Sequence, residues 1–307
     1  MLKALLVINP HAGKGKIKGN LVDIVDTLVK ADYEVTVYTT QCRGDAVEHV
    51  KNRSKDYDLV VCSGGDGTLD EVVTGMIQSG FNTDIGYIPA GSTNDFANSL
   101  ELPTNMLSAA QLITRNNNFA CDIGRFNDDV FVYIAAFGIF TEVSYGTSQE
   151  MKNVLGHMAY ILEGMRQLQN VQSYKMTVKG YSITNDNPQG EEINISDEFI
   201  FGMITNSYSI GGFRSITNNI TGRTVELNDG LFEVTLIKMP KNPIELNSII
   251  AALISEDIDT KYMYCFKAKE LHIESEGEVA WTLDGEYGGN HNIVDLKNMP
   301  RAINIRC

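Results

Sequence analysis

Residues 62–71, which read Cys-Ser-Gly-Gly-Asp-Gly-Thr-Leu-Asp-Glu, constrain the fold of this chain more than any other stretch. They follow the apolar run 59–61, which predicts a buried strand, and they precede apolar residues at helical spacing. Three glycines and Asp66 therefore occupy a turn from a strand into a helix. Glycine lets the backbone approach a ligand closely, and a helix N-terminus presents unpaired N–H groups to an anion. The stretch predicts a phosphate site, and Asp66 adds a carboxylate suited to Mg²⁺. A plain turn capped by Thr68 or Asp66 does not explain why glycines flank the aspartate on both sides.

Strands and helices alternate over residues 1–125. Apolar patterning predicts strands at 2–8, 34–38, 58–62, 85–88 and 120–125, with helical segments at 21–29, 44–53, 69–77 and 106–114. Such alternation indicates a mostly parallel sheet with helices on both faces, which is a three-layer α/β domain. The glycine-bearing loops at 9–16, 63–67 and 89–93 all follow strands. We therefore expect them to meet at the carboxyl edge of the sheet, where such sheets bind ligands.

The pattern changes near residue 126, after which strand-like runs dominate. They cover 130–138, 174–183, 193–205, 232–238, 262–267, 270–275, 279–283, 292–297 and 302–306. Helical spacing interrupts them at 149–168 and 243–253. This pattern predicts an antiparallel β-sandwich that carries one or two helices. The chain is expected to hold two domains, 1–125 and 126–297.

The net charge, the cysteine spacing and the length of the apolar runs argue against some classes of function. The formal net charge of −14 argues against nucleic acid as the main partner, because a phosphate backbone binds a basic surface. It also argues against strong electrostatic attraction to an anionic membrane. The five cysteines include no Cys-x-x-Cys pair, which predicts reduced thiols in a cytosolic protein. The longest apolar run, 130–140, is shorter than the roughly 20 residues of a membrane span, so no integral membrane segment is expected.

Four other polar motifs each have two interpretations. The loop at 9–16 is a nucleotide loop or a plain turn, and it lacks the Gly-Lys-Ser/Thr ending of a Walker A motif. The segment 91–95 is a ligand loop or a capped helix start. Residues 284–286 carry a functional carboxylate or form a hairpin turn, which Asp-Gly favours. Residues 228–230 form a turn, with or without a cation on the carboxylate.

Several short motifs occur in order along the chain: Asn9-Pro-x-Ala-Gly, Gly64-Gly-Asp-Gly-Thr-Leu-x-Glu71, Ile88-Pro-x-Gly-Ser-Thr-Asn-Asp-Phe96, Asp122-Ile-Gly124, Thr205-Asn-Ser with Gly211-Gly-Phe213, Asn228-Asp-Gly-Leu-Phe232 and Asp284-Gly-Glu286. Together they resemble the diacylglycerol kinase catalytic-domain family, in particular its soluble bacterial lipid kinases. The resemblance covers nearly the whole chain. It implies an N-terminal α/β nucleotide domain, a C-terminal β-sandwich domain, and a last segment at about 298–307 that returns to the first domain.

The resemblance also implies roles for individual residues. The residues that would hold ATP are Asn9, Pro10, His11, Ala12, Gly13, Thr40, Gly64, Gly65, Asp66, Gly67, Thr68, Glu71, Gly91, Ser92 and Asn94. Asp66, Asp95 and Asp122 would organise the catalytic Mg²⁺, largely through waters. Glu286 would be the general base, with Asp284 beside it. The carboxylate of Asp229, with the carbonyl groups of Glu226 and Leu231, would bind a structural Mg²⁺. Asp70 departs from the family, which usually has asparagine there.

The implied function is an Mg²⁺-dependent lipid kinase that transfers the γ-phosphate of ATP to a lipid hydroxyl, foremost that of diacylglycerol. Phosphatidylglycerol, a ceramide-like base and a polyprenol also carry a hydroxyl beside apolar tails, so the lipid stays open. Such an enzyme would be cytoplasmic, would contact the inner membrane face peripherally, and could be a homodimer. The alternatives are an NAD kinase, which shares the Gly-Gly-Asp-Gly motif, and a non-catalytic nucleotide- or lipid-binding protein.

Overall fold

The computed structural model describes residues 1–91, 94–139, 172–184, 187–206, 209–210, 213–214, 227–255 and 261–307. The chain divides into two compact units: Met1–Ile123 with Arg301–Cys307, and Gly124–Pro300. Ser92, Glu226, residues 211–212 and the predicted helix at 149–168 lie outside the described residues.

The first unit alternates strands with helices, as the sequence predicts. Short 3₁₀ turns lie at Ala12–Gly15 and Ser54–Asp56. The regular elements are β1 (Leu2–Ile8), α1 (Ile17–Lys30), β2 (Tyr33–Thr39), α2 (Asp45–Arg53), β3 (Leu59–Gly64), α3 (Asp66–Ser79), β4 (Asp84–Pro89), α4 (Asp95–Ser99), α5 (Met106–Ile113) and β5 (Asn118–Phe126).

A parallel sheet runs through this unit in the order β2–β1–β3–β4. β1, β3 and β4 are buried on both faces, since successive side chains of a strand point to opposite sides, whereas most side chains of the edge strand β2 are at least partly exposed. Leu6 and Val61 belong to the core that contains apolar residues of α1 and α5, whereas the alternate residues Leu5 and Val60 are equally inaccessible. Continuous burial of this kind is typical of a parallel sheet covered by helices, which confirms the predicted α/β architecture.

The last residues of the chain add another parallel strand beside β4, where Ile305 pairs with Ile85. Arg306 fixes this end, because its guanidinium donates to Asp84 Oδ2 at 2.9 and 3.1 Å and to Tyr33 Oη at 2.7 Å. Both the arginine and the tyrosine are buried. The C-terminal segment is therefore an integral part of the first unit.

The second unit is β-rich. It contains β6 (Asp129–Phe131), β7 (Ile134–Gly138), β8 (Tyr174–Ser182), β9 (Glu191–Thr205), the short β10 (Ser209–Ile210) and β11 (Phe213–Arg214), β12 (Phe232–Lys238), α6 (Pro243–Ser255), β13 (Met263–Ala268), β14 (Glu270–Leu283) and β15 (Glu286–Arg306), whose end belongs to the first unit. None of the helices in the described part of the chain has the length and apolar character that a membrane span requires.

Antiparallel pairing joins these strands. β9 and β14 each pair with β8 along one half and with β7 along the other. β12 lies between β9 and β13, and β15 pairs with β14. An aromatic core fills the unit: the Trp281 ring lies 4.8 Å from Phe137 and 5.1 Å from Phe126, and Phe131 stacks on Phe232.

The strand boundaries differ from the sequence prediction in two main respects. The predicted strand 130–138 is broken by a bend at Val132 and Tyr133, which separates β6 from β7. The four short strands predicted after residue 270 are two long ones, β14 and β15. The polar residues near 276 do not end β14, because its register with β15 shifts between Glu274 and Val279 and absorbs them as an irregularity.

A lysine is buried among these strands. The Lys267 side chain is only 1% exposed, and its Nζ lies 2.8 Å from Glu233 Oε1 and 3.2 Å from Asp229 Oδ2. Burial lowers the pKa of Lys267, but its two carboxylate neighbours outweigh that effect and raise the pKa overall. A buried ammonium is tolerated only with such partners. Lys267 therefore ties β13 to β12 and to the turn that precedes it.

We predict that Lys267→Met lowers the free energy of unfolding by about 3–5 kcal/mol, because it leaves two carboxylates close together without their cation. Urea unfolding measures this change. Lys175→Met is the matched control, since Lys175 forms an exposed ion pair with Glu276 at 3.6 Å. Its stability should stay close to that of the wild type. Equal stability of the two variants would contradict a structural role for the buried ion group.

Candidate active site

Three loops lie together at the carboxyl edge of the parallel sheet in the first unit. Main-chain hydrogen bonds continue past the strand ends: Asn9 N–H donates to the Ser63 carbonyl at 3.0 Å, and Ala90 N–H donates to the Gly64 carbonyl at 2.7 Å. The loops after β1, β3 and β4 are therefore neighbours in that order. Thr40 joins the same edge, because its N–H donates to the Ile8 carbonyl at 2.9 Å.

Glycine is required where these loops touch. A Cβ on Gly13 would lie 2.0 Å from the carbonyl oxygen of Ala90, and its φ of +55° is unfavourable for other residues. A Cβ on Gly91 would lie 2.7 Å from the Gly65 Cα, and one on Gly65 would lie 3.2 Å from the Gly91 Cα. The loops contact each other backbone to backbone, so this edge of the sheet exposes main-chain groups rather than side chains.

Two predicted ATP residues hold the first two loops together. Asn9 Nδ2 donates to Thr68 Oγ1 at 3.2 Å, while Asn9 Oδ1 accepts the N–H of His11 at 3.0 Å. Gly64 packs against Thr68, where a Cβ would lie 2.4 Å from the threonine Cβ. Asn9 and Thr68 therefore use their side chains to shape the loops. Pro10 and Ala12 belong to the same loop, and Ala12 begins its 3₁₀ turn.

Asn94 organises the third loop. It adopts a left-handed conformation with φ of +53°, and its side chain accepts the N–H of Gly91 at 2.8 Å and donates to the Gly91 carbonyl at 3.1 Å. Tyr87 adds a second tie, since its buried hydroxyl donates to the Gly64 carbonyl at 3.3 Å. Tyr87 was not among the site residues predicted from the sequence. Its position within an apolar strand could have indicated this role, because a buried tyrosine hydroxyl needs a hydrogen-bond partner.

Asp66 is the first residue of α3, and its side chain reaches the N-terminus of α4, where Oδ1 accepts the N–H of Phe96 at 3.4 Å. Burial raises the pKa of Asp66, and main-chain N–H groups of Asp95, Phe96 and Asn94 partly offset that effect. Asp95 is the first residue of α4 and is buried. The two aspartates are thus brought to the same loops. A buried carboxylate with a raised pKa would gain from a nearby cation.

Glu71 has a different place from the one the ATP prediction suggests. Its Oε1 accepts the N–H of Gly44 at 2.8 Å, and its Oε2 accepts the N–H of Ala46 at 3.2 Å. These donors lie at the start of α2, where main-chain N–H groups have no partner within the helix. Glu71 therefore caps α2 from α3.

Asp122 is buried on β5, and its Oδ1 accepts the N–H of Arg301 at 2.7 Å. This bond anchors the chain where it re-enters the first unit. Among the residues that the structure describes, no three His, Cys, Asp or Glu side chains gather closely enough to hold a metal. Asp66, Asp95 and Asp122 therefore do not form a direct cage, and Mg²⁺ commonly binds instead through one or two carboxylates, waters and phosphate oxygens.

The second unit carries the other predicted carboxylates on the hairpin between β14 and β15. Leu283 pairs with Glu286, so Asp284 and Gly285 form a two-residue turn, with φ of +51° and +85°. Asp284 is buried, and its carboxylate accepts main-chain N–H groups of Val132, Tyr133 and Ile134. Glu286 is exposed at the first position of β15.

Of the predicted ligands of a structural Mg²⁺, the structure describes Asp229 and Leu231 but not Glu226. Asp229 Oδ1 accepts the N–H of Leu231 at 2.9 Å, and Oδ2 faces Lys267 Nζ at 3.2 Å. A divalent cation on this carboxylate would lie beside a buried ammonium, which repels it. The protein thus supplies its own positive charge at this turn.

Comparison with known proteins supports the predicted fold and family. The family model for the diacylglycerol kinase catalytic domain matches residues 3–126. The chain is 35% identical to the diacylglycerol kinase of Staphylococcus carnosus (strain TM300) over 301 residues, covering 96% of this chain and 92% of that protein. It is 30% identical to the diacylglycerol kinase of Bacillus subtilis (strain 168) over 291 residues, covering 94% and 91%.

The fold has a counterpart among solved structures. A crystal structure of a diacylglycerol kinase from Bacillus anthracis str. Sterne superimposes with a TM-score of 0.73 at 23% identity, and the match covers 99% of this chain and 96% of that one. Both units therefore follow a known architecture. With curated relatives at least 30% identical over nearly their whole length, the chain belongs to the diacylglycerol kinase family.

Proposed function

We propose that the protein transfers the γ-phosphate of ATP to the hydroxyl group of diacylglycerol, which yields phosphatidic acid. The observation that carries this proposal is the meeting of three glycine loops, backbone to backbone, at one edge of a parallel sheet. The relatives named diacylglycerol kinases indicate the acceptor. Phosphoryl transfer depends mainly on holding phosphates and neutralising their charge, which is what such loops can do.

In this proposal the first unit binds ATP. Main-chain groups of residues 9–13 and 64–68 and of Gly91 would face the phosphates, because a side chain at Gly13 or Gly91 would clash with the neighbouring loop. The N-terminus of α3, which follows the second loop directly, would add its partial positive charge. Asn9, Thr68 and Asn94 would act by keeping the loops in shape.

Mg²⁺ would be held near Asp66 and Asp95, with water molecules between metal and protein, and Asp122 would support the network from β5. Hard oxygen donors suit this ion, and a bound cation would offset the burial that raises the pKa of Asp66. When bound, Mg²⁺ neutralises the charge of the transferred phosphate. The carboxylates hold the ion and the loops hold the nucleotide.

The acceptor hydroxyl would lose its proton to Glu286, in the second unit. Support comes from the exposure of this carboxylate and from its position in the Asp-Gly-Glu motif that resembles the family. The second unit would bind the lipid during a peripheral contact with the inner membrane face, in the cytoplasm. A homodimer is compatible with this arrangement.

A panel of acceptors tests the function. The purified protein is incubated with labelled ATP, Mg²⁺ and micelles that contain diacylglycerol, phosphatidylglycerol, a ceramide or a polyprenol, and with NAD in a separate reaction. We expect label in phosphatidic acid. Label in NAD alone would reverse the proposal in favour of an NAD kinase. Binding of ATP and lipid without any product would indicate a non-catalytic protein.

We predict that Glu286→Gln lowers the turnover of diacylglycerol by about 10²–10⁴-fold, the usual contribution of a general base. The affinity for ATP should not change, because Glu286 lies outside the glycine loops. Glu278→Gln is the matched control, since it removes an equal charge from an exposed position of the same hairpin. Unchanged turnover in Glu286→Gln would remove this residue from the role of base.

We predict that Gly13→Ala weakens ATP binding at least tenfold, because a Cβ would displace the loop from Ala90. Titration calorimetry with Mg·ATP measures the affinity. Gly19→Ala is the control: Gly19 lies in α1, where an added Cβ meets no atom within 4 Å. That variant should bind ATP like the wild type. Equal affinities of the two variants would argue against nucleotide binding by the first loop.

A further inference from the structure

Asp284 occupies an unusual position in the turn that carries Glu286. Its Oδ2 accepts the N–H of Val132 at 2.5 Å, and its Oδ1 accepts the N–H groups of Tyr133 and Ile134 at 3.0 and 2.9 Å. These three donors are consecutive in the chain. Consecutive N–H groups that converge in this way form an anion-binding concavity. Here the anion is a side chain of the protein itself.

The bend between β6 and β7 creates this concavity. Residues 132–133 leave the ladder, so their N–H groups lose strand partners in a region that is buried. A buried N–H group without an acceptor costs free energy comparable to a lost hydrogen bond. The carboxylate of Asp284 accepts both of these N–H groups and that of Ile134 at the start of β7, which explains why the turn and the bend occur together.

The main chain of the turn is fixed as firmly as the carboxylate. Asp284 N–H donates to the Ile134 carbonyl at 2.8 Å, and the Tyr133 hydroxyl donates to the Asp284 carbonyl at 3.0 Å. Asp284 and Gly285 both have positive φ, which is the geometry of a tight two-residue hairpin turn and favours the pair Asp-Gly. The position of Glu286 in the unit follows from these contacts, because it is the next residue.

We infer that Asp284 is a positioning residue for Glu286, held by the main chain of residues 132–134, and does not itself exchange protons with the substrate. This inference rests on the proposed function, in which Glu286 is the general base. Both carboxylate oxygens of Asp284 are aimed at main-chain donors, and the side chain is 5% exposed. Tyr133 assists by holding the carbonyl of the same turn.

Two variants test this inference. In Asp284→Asn an NH₂ group would face N–H donors, so the bend should open, and we expect turnover of diacylglycerol to fall about 100-fold. The KM for ATP should stay within about twofold, since the ATP loops belong to the other unit. Tyr133→Phe keeps the ring and loses one hydrogen bond, so a smaller fall in turnover of about fivefold is expected.

Amide hydrogen exchange of residues 132–134 reports on the anchor without any activity. Exchange should accelerate at least tenfold in Asp284→Asn and less in Tyr133→Phe, if each loses its stated bonds. Unchanged exchange would overturn the anchoring role. If the wild type phosphorylates no lipid, the proposed function fails, and the exchange result still decides whether Asp284 anchors the turn.

Two further comparisons separate positioning from other roles. Lys267→Met should lose stability within the same unit but keep its turnover, so a general loss of stability would not imitate the Asp284 effect. Added formate can replace a missing carboxylate base; it should partly restore Glu286→Ala and leave Asp284→Ala inactive. Restoration of Asp284→Ala by formate, or full turnover of Asp284→Asn, would overturn the inference.

Discussion

The contact between main-chain atoms of glycine loops is the constraint on which the candidate site depends. A Cβ on Gly91 would clash with the Gly65 main chain, one on Gly65 would fit only tightly against Gly91, and one on Gly13 would clash with the Ala90 carbonyl. A parallel sheet brings the ends of neighbouring strands to one edge, and only glycine lets the loops close the remaining distance. The result is a set of closely packed main-chain loops beside the N-terminus of α3, an arrangement that suits phosphate binding.

Four carboxylates that the sequence predicts as site residues, three in the first unit and one in the second, share one structural task. Asp66 accepts N–H groups at the start of α4, Glu71 those at the start of α2, Asp122 that of Arg301, and Asp284 those of residues 132–134. Helix starts and bends leave main-chain donors without partners, and a charged acceptor satisfies them well. Removing such a residue therefore changes both charge and loop shape, so a loss of activity alone does not identify a catalytic group.

Two buried cations in this acidic chain also have structural roles. Lys267 lies between Asp229 and Glu233 inside the second unit, and Arg306 joins Asp84 and Tyr33 at the C-terminal strand of the first. Each cation links segments that are distant in sequence. Because burial removes water, such groups are costly when unpaired, and the pairing specifies which strands meet.

The sequence by itself determined the fold class, the order of elements in the first unit, and the three loops that meet at its edge. These follow from local patterns: apolar periodicity, glycine after a strand, and helix starts. The family followed from the order of the motifs.

Only the tertiary structure decided that Glu71 caps α2, that Tyr87 hydrogen-bonds the loop of Gly64, and that Lys267 lies beside Asp229, where a metal was expected. It also decided that Asp284 is held by a bend about 150 residues earlier in the chain. A sequence shows that a carboxylate is present, but its partner is chosen by distant strands whose register no local pattern encodes.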